Sequence, residues 1–181
     1  MDTIASRYAN ALLELALENN KVVEYQNQMK FVYSVIKENP NLIDFFKCYT
    51  IENKDKKELI NKIFKDEVYI EILHFMFLLI DKKRINYIER ICKEFNSACN
   101  ENRGVLEGII YTIDELSESQ IKKIEDNVSL KMKRKVELTN SIDPSIIGGI
   151  KIVINDTVFD NSVTNRLKSL KQELINGKDA R

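Results

Sequence analysis

Tryptophan is absent from this sequence, histidine occurs once and proline twice, and the five glycines all lie at or beyond Gly104. Each shortage excludes something. With His74 as the only imidazole, neither a histidine cluster nor a triad with a spare histidine can be assembled, and its place in an apolar segment makes it a satisfied core or interface residue. Three cysteines, Cys48, Cys92 and Cys99, show no paired spacing, which fits a reducing compartment and offers no metal ligand set. Cys92 and Cys99 lie seven apart, on one helix face. A Walker loop needs glycine, four residues and Gly-Lys-Ser/Thr, and a dinucleotide fingerprint needs three spaced glycines opening a helix; neither pattern occurs. No catalytic, cofactor-binding or metal-binding residue is therefore assigned.

An excess of charge is missing too. The 28 basic and 28 acidic residues cancel, and they balance 16 to 16 over residues 1–104 and 12 to 12 over 105–181. Nucleic-acid binding rests on a surplus of Lys and Arg. The run Lys131, Lys133, Arg134, Lys135 reads as a solvated helix end, with a helical RNA-binding adaptor using that run as the alternative function. The sequence starts without a basic leader and apolar stretch, and its longest apolar block, Ile72 to Ile80, is far too short to cross a bilayer. A soluble intracellular chain is the expectation. At 44% hydrophobic content a buried core is available.

What is present divides in two. From Thr3 to about Asn102 helical periodicity runs with one proline, Pro40, and predicted breaks near Asn19-Asn20, Glu38 to Asn41, Thr50 to Asn53, Lys65-Asp66 and Asp81 to Lys83. Beyond Gly104 the pattern predicts a strand over Val105 to Thr112, a helix over Ser117 to Met132 opened by the capping box Ser117-Glu-Ser-Gln120, and a strand over Val136 to Asn140. A hairpin follows, Ile150 to Ile154 with Thr157 to Phe159 around Asn155-Asp156, and then a helix over Ser162 to Leu174 with Val163, Leu167, Leu170 and Leu174 on one face. The predicted fold is an N-terminal all-α six-helix bundle, residues 1–104, followed by a small α+β C-terminal domain, residues 105–181.

Two helices carry more apolar surface than one core requires. At about 100° per residue the apolar positions of Ile4 to Leu17 sweep roughly 240°, and Val68 to Ile80 is interrupted only by Glu71 and His74. The second segment is expected to be buried on all sides. The first either sits centrally in its own bundle or keeps a second apolar face for a partner helix; together the two can share a core and line a groove for a third helix, with Met76 and the phenylalanines of the second segment as adaptable contacts. The charged stretch Glu52 to Glu58 reads as solvated surface. Gly148-Gly149 precedes the alternating strand Ile150 to Ile154 instead of a helix, so it reads as a tight bend or close-packing device and not a phosphate cradle.

Two stretches resemble a known family. Arg7-Tyr8-Ala9-Asn10-Ala11-Leu12-Leu13-Glu14-Leu15-Ala16 and Asp143-Pro144-Ser145-Ile146-Ile147-Gly148-Gly149, the latter with Val158 to Val163 and Arg166-Leu167 and Leu170, are similar to the signatures of the F-type ATP synthase delta subunits, counterparts of the mitochondrial oligomycin-sensitivity-conferring protein. Ile113 to Leu116 departs from the family's usual entry to the middle helix. Asn161 stands where the family often has glycine, a change that asparagine's tolerance of left-handed backbone would absorb. The resemblance implies a non-catalytic stator subunit on the cytoplasmic face of the cell membrane, membrane-associated only through its complex, with no cofactor and no nucleic acid. It implies an N-terminal domain that holds the N-terminal helix of an alpha subunit of the catalytic head between its first and fifth helices, and a C-terminal domain that meets the peripheral-stalk b subunit. The groove residues it points to are Tyr8, Ala9, Leu12, Ala16, Ile72, Met76 and Leu79, and charge substitutions at Tyr8, Leu12 or Leu79 are expected to weaken docking.

Overall fold

The computed structural model describes residues 3–167. The chain forms two compact units, Met1–Asn102 and Arg103–Arg181. The first is helical and the second α+β. Within the first lie α1 (Thr3–Glu18), α2 (Val22–Glu38), α3 (Pro40–Lys47), α4 (Asn53–Phe64), α5 (Ile70–Asp81), a 3-10 turn (Ile85–Tyr87) and α6 (Ile88–Arg103).

The helix ends have local causes. After α1, Asn20 takes a left-handed conformation at φ 54°. The Lys21 amide then reaches back to the Ala16 carbonyl at 2.9 Å and that of Asn20 to Leu17 at 3.0 Å, the paired bonds that satisfy a helix C-terminus. The same device ends α5. Lys83 sits at φ 55°, and the amides of Lys83 and Arg84 bond the carbonyls of Ile80 and Leu79. Pro40 occupies the first turn of α3, where its missing N–H leaves no helical bond unmade.

One apolar core runs through this unit, built from Ala5, Ala9, Leu12 and Ala16 of α1, Met29 and Val32 of α2, Ile60 and Phe64 of α4, the inner face of α5, and Ile91 and Phe95 of α6. Each fully buried Leu, Ile, Met or Phe contributes about 1.5–3 kcal/mol relative to exposure. Buried polar side chains accompany it, Gln26 of α2 and Asn100 of α6 among them. Gln26 of α2 is 1% exposed, and its Nε2 donates to Asn96 Oδ1 at 2.8 Å and to Asn100 Oδ1 at 2.6 Å, both on α6. Two donor protons thus find two acceptors, as a buried amide requires.

Cys92 and Cys99 are buried on α6 while Cys48, after α3, is half-buried. Burial pushes the Cys92 thiol up to about 12. Cys48 moves the other way, held below its ordinary value first by its side-chain hydrogen bond with Thr50, at 3.0 Å. The thiolate is the reacting species. Iodoacetamide at pH 8 is therefore expected to modify Cys48 in the folded chain and spare Cys92 and Cys99, as peptide mass mapping would read; equal labelling of all three would contradict this packing.

The second unit contains β1 (Val105–Thr112), α7 (Glu118–Met132), β2 (Lys135–Ile142), β3 (Lys151–Ile154) and β4 (Thr157–Asp160), with residues 163–167 helical where the described residues end. The part of the expected final helix that carries Leu170 and Leu174 lies outside the described residues. The strand order is β2-β1-β3-β4. β1 and β2 are parallel, joined through α7, and the other two pairings are antiparallel.

Alternation sorts the sheet's faces. Ile110, Val136, Leu138, Ile152 and Ile154 pack with Val128 of α7 and the half-buried Ile121 and Ile124. Gly108 shares that face, because a Cβ there would stand 2.5 Å from Ile154 Cγ1 and 2.8 Å from Leu138 Cδ2. α7 opens as its sequence predicts, with Gln120 Oε1 accepting from the Ser117 amide at 2.9 Å. Along β2, the amides of Leu138 and Val136 donate to Glu125 Oε1 at 2.7 Å and Ser129 Oγ at 3.0 Å, so α7 side chains occupy edge donors that would otherwise invite another strand. Asn140 ties β2 to β1 and to the loop before α7, donating to Ile110 O at 3.1 Å and Thr112 Oγ1 at 2.7 Å and accepting from the Leu116 amide at 2.8 Å.

Candidate functional site

The expected groove residues converge, but inward. Ala9, Leu12 and Ala16 on α1 and Ile72, Met76 and Leu79 on α5 share one core cluster, and none is more than 1% exposed. In the isolated chain these six side chains hold the helices together and present no surface. Tyr8 differs. It is half-buried, its ring meets Phe75 of α5 edge-on at 6.1 Å and 72°, and the Arg84 guanidinium lies 5.9 Å from its centroid.

Around that aromatic junction both helices show apolar side chains outward. On α1, Ile4, Tyr8, Ala11 and Leu15 recur at helical spacing beside the buried alanine stripe, and all are half-buried or exposed. On α5 the corresponding edge runs through half-buried Glu71, Phe75, which is buried in the core at 9% exposure, and Leu78, which is 43% exposed. The surplus arc of α1 thus lies on the flank that carries Tyr8, and small residues beneath it let the backbones approach closely. Phe75 is one of the phenylalanines expected to supply groove contacts, whereas Ile4, Ala11, Leu15 and Leu78 were not singled out by sequence. Their signal was there, as a second stripe offset from Ala5, Ala9, Leu12 and Ala16.

The rest of α5 corrects two expectations. The helix is not buried all round, since Ile70 is 56% exposed and His74 is exposed, its ring 6.1 Å from Phe77. His74 is therefore not a core residue. On that side α5 faces α4, where Lys57 Nζ lies 5.8 Å above Phe77 and pairs with Asp81 at 2.7 Å. A further correction concerns Glu52 to Glu58, which is not uniformly solvated: Lys56 is 6% exposed, and its Nζ donates to the Cys48 carbonyl at 2.6 Å. It faces inward because that carbonyl caps the C-terminus of α3, where a cation is favourable.

In the second unit Gly149 takes φ +83°, and a Cβ on it would stand 2.5 Å from the Asn161 carbonyl oxygen and 3.1 Å from Ser162 Cα. The strands on either side are stitched by Asn161 N–H to Ile150 O and Val163 N–H to Gly148 O, both 2.9 Å. The glycines thus permit backbone to lie on backbone, and the stretch Asp143 to Asp160 is a structural frame. Asn161 itself is not among the described residues with positive φ, so its tolerance of left-handed backbone is not called upon. Lys131, Lys133, Arg134 and Lys135 lie exposed at and beyond the end of α7, and Lys135 pairs with Glu137 at 2.9 Å.

The sheet face opposite α7 carries Thr139, Ile109, Val153 and Val158 in one register row across all four strands. Ile109 is 39% and Val158 53% exposed. Single exposed apolar residues are ordinary; here Ile109, Val153 and Val158 stand side by side as a short apolar strip.

The family model described as ATP synthase delta (OSCP) subunit matches residues 4–174. The chain is 31% identical over 173 residues to the ATP synthase subunit delta of Alkaliphilus oremlandii, covering 96% of each, and 35% identical over 176 residues to that of Syntrophomonas wolfei, covering 97% of each. Its fold is similar to a chain in the cryo-EM structure of the Toxoplasma gondii mitochondrial ATP synthase hexamer, with a TM-score of 0.67 at 18% identity, covering 96% of this chain and 98% of that one.

Proposed function

Since the chain belongs to the ATP synthase delta (OSCP) subunit family, we propose that it works as a clamp between two partners, each taken by one of its units. It is a non-catalytic stator subunit of the synthase. The finer reading concerns what each unit holds. The N-terminal unit, with its six helices packed as one bundle, takes the N-terminal helix of an alpha subunit along the α1 and α5 edges. The observation that carries this is the Tyr8–Phe75 junction flanked by outward Ile4, Ala11, Leu15 and Leu78. A short amphipathic helix laid there buries apolar side chains along its length, and its anchors face a floor already packed by the core. The seven residues named from sequence then divide. Tyr8 touches the partner, while Ala9, Leu12, Ala16, Ile72, Met76 and Leu79 support the floor.

The C-terminal unit meets the b subunit of the peripheral stalk, and the uncovered row Ile109, Val153, Val158 supports a docking role for it. Held at both ends, the head cannot turn with the rotor, so ion flux is coupled to ATP synthesis. No described helix is long and apolar enough to cross a membrane; attachment on the cytoplasmic face through the complex is part of the same reading. Affinity purification of the tagged chain from native membranes tests it. Co-purification of alpha and b subunits is the expected result, and recovery of the chain without either from intact membranes would overturn it.

A further inference from the structure

A cavity in the N-terminal unit belongs to neither docking edge. It encloses about 510 Å³ between the end of α3, the start of α4 and the turn after α5, and its lining includes Lys47, Lys56, Lys83, Asn53, Asn86 and Tyr49. Three lysines therefore line one space. Among the described residues no carboxylate pairs with any of them: Lys56 makes its bond to the Cys48 carbonyl, and the ion pairs of this region join Lys57 to Asp81 and Lys62 to Glu58. Asp81, which Asn53 Nδ2 approaches at 3.4 Å, is already neutralised by Lys57 at 2.7 Å.

Lys56 is the informative member. An ammonium has three donor protons, and a buried charge is costly unless it is paired. The Cys48 carbonyl takes one proton and supplies no negative charge. Lys56 lines a cavity that also receives the positive end of the twelve-residue helix α4, whose first residue, Asn53, lines it too. Lys47 and Lys83 are exposed and add charge at the rim. We propose that this cavity binds the phosphate group of a small ligand, with Lys56 as its buried anchor, Lys47 and Lys83 as rim cations, and the Asn53 and Asn86 amides as neutral donors. A phosphate suits the set better than a carboxylate, because three cations and two amides exceed what one charge on two oxygens can engage. Tyr49, 88% exposed at the mouth, offers a ring against which a planar group attached to the phosphate could lie.

The test is titration calorimetry of the full chain with inorganic phosphate, pyrophosphate and adenosine monophosphate at low ionic strength. Binding of at least one, at about 1 mM or tighter, is expected, with affinity falling about tenfold or more in the double variant Lys47→Gln/Lys83→Gln. Those two positions are exposed, so circular dichroism should show the variant folded, whereas Lys56→Met removes a buried bond and is the secondary variant. Binding of inorganic phosphate or pyrophosphate would show that the anion suffices. Binding confined to the nucleotide and lost in Tyr49→Ala would show that the attached ring contributes, and both results support the site. Absence of heat with all three ligands, or an affinity unchanged by the rim substitutions, overturns it.

Discussion

Leu79→Asp is expected to unfold the N-terminal unit, whereas Leu78→Asp, one residue earlier, is expected to leave it folded and weaken its hold on a partner helix. Leu79 is 0% exposed in the core and Leu78 is 43% exposed on the edge beside Phe75. A carboxylate at 79 has no cation or donor waiting for it, and the combined loss of apolar contact and desolvation costs about 4 kcal/mol or more. That is a large part of the 5–15 kcal/mol typical of a whole domain. Leu12→Asp should behave like Leu79→Asp, since Leu12 is 1% exposed. At 78 the charge stays in water until a helix arrives, and then sits within the apolar contact. A loss of roughly 10- to 100-fold in affinity for an alpha-subunit N-terminal peptide is expected there, with an unchanged urea midpoint. Unaltered affinity in the Leu78 variant would place docking elsewhere, and a cooperative, near-normal melt for Leu79→Asp would refute the core assignment. Tyr8→Ala should fall between, because its ring both packs on Phe75 and faces outward.

Gly149→Ala should cost the C-terminal unit about 2–4 kcal/mol, and Gly104→Ala only about 1 kcal/mol. Both glycines have positive φ, +83° and +64°, so alanine is strained at either. Only Gly149 is crowded as well. Its added methyl would stand 2.5 Å from a backbone carbonyl oxygen that no rotamer change can move, while around Gly104 nothing lies within 4 Å. Hydrogen exchange of the β3 amides reads the difference, with protection falling sharply for the first variant and little for the second. Equal effects would mean that φ alone matters and that the close approach to Asn161 is not a constraint.

Much of the architecture could be read from the chain because the punctuation is local. Asn19-Asn20, Pro40 and Asp81 to Lys83 stop helices by their own backbone preferences, and alternation marks Val105 to Thr112 and Lys151 to Ile154 as strands without reference to anything distant. The parallel pairing of β1 with β2 and the seat of Gly149 on Asn161 are tertiary, and no window of sequence contains both partners. The candidate site was legible to the same depth. The surplus apolar arc of α1 was plain, but periodicity cannot tell which sector of such an arc neighbours will cover. The alanine stripe went to the core because small residues let helices approach closely. Lys56 was lost among its charged neighbours, since its burial depends on the Cys48 carbonyl, eight residues back and just past the end of the preceding helix.

The Gln26 amide has a mechanical consequence. It grips Asn96 and Asn100, one helical turn apart on α6. Apolar surfaces slide past one another with little change in buried area, but moving α2 by one turn along α6 would leave these donors and acceptors dry and unmatched, at about 1–3 kcal/mol for each group. The contact therefore resists shear along the helix axes, which hydrophobic packing alone resists weakly. A part that must transmit sustained torque without creep benefits from such a notch, and the notch lies where no partner needs to touch it.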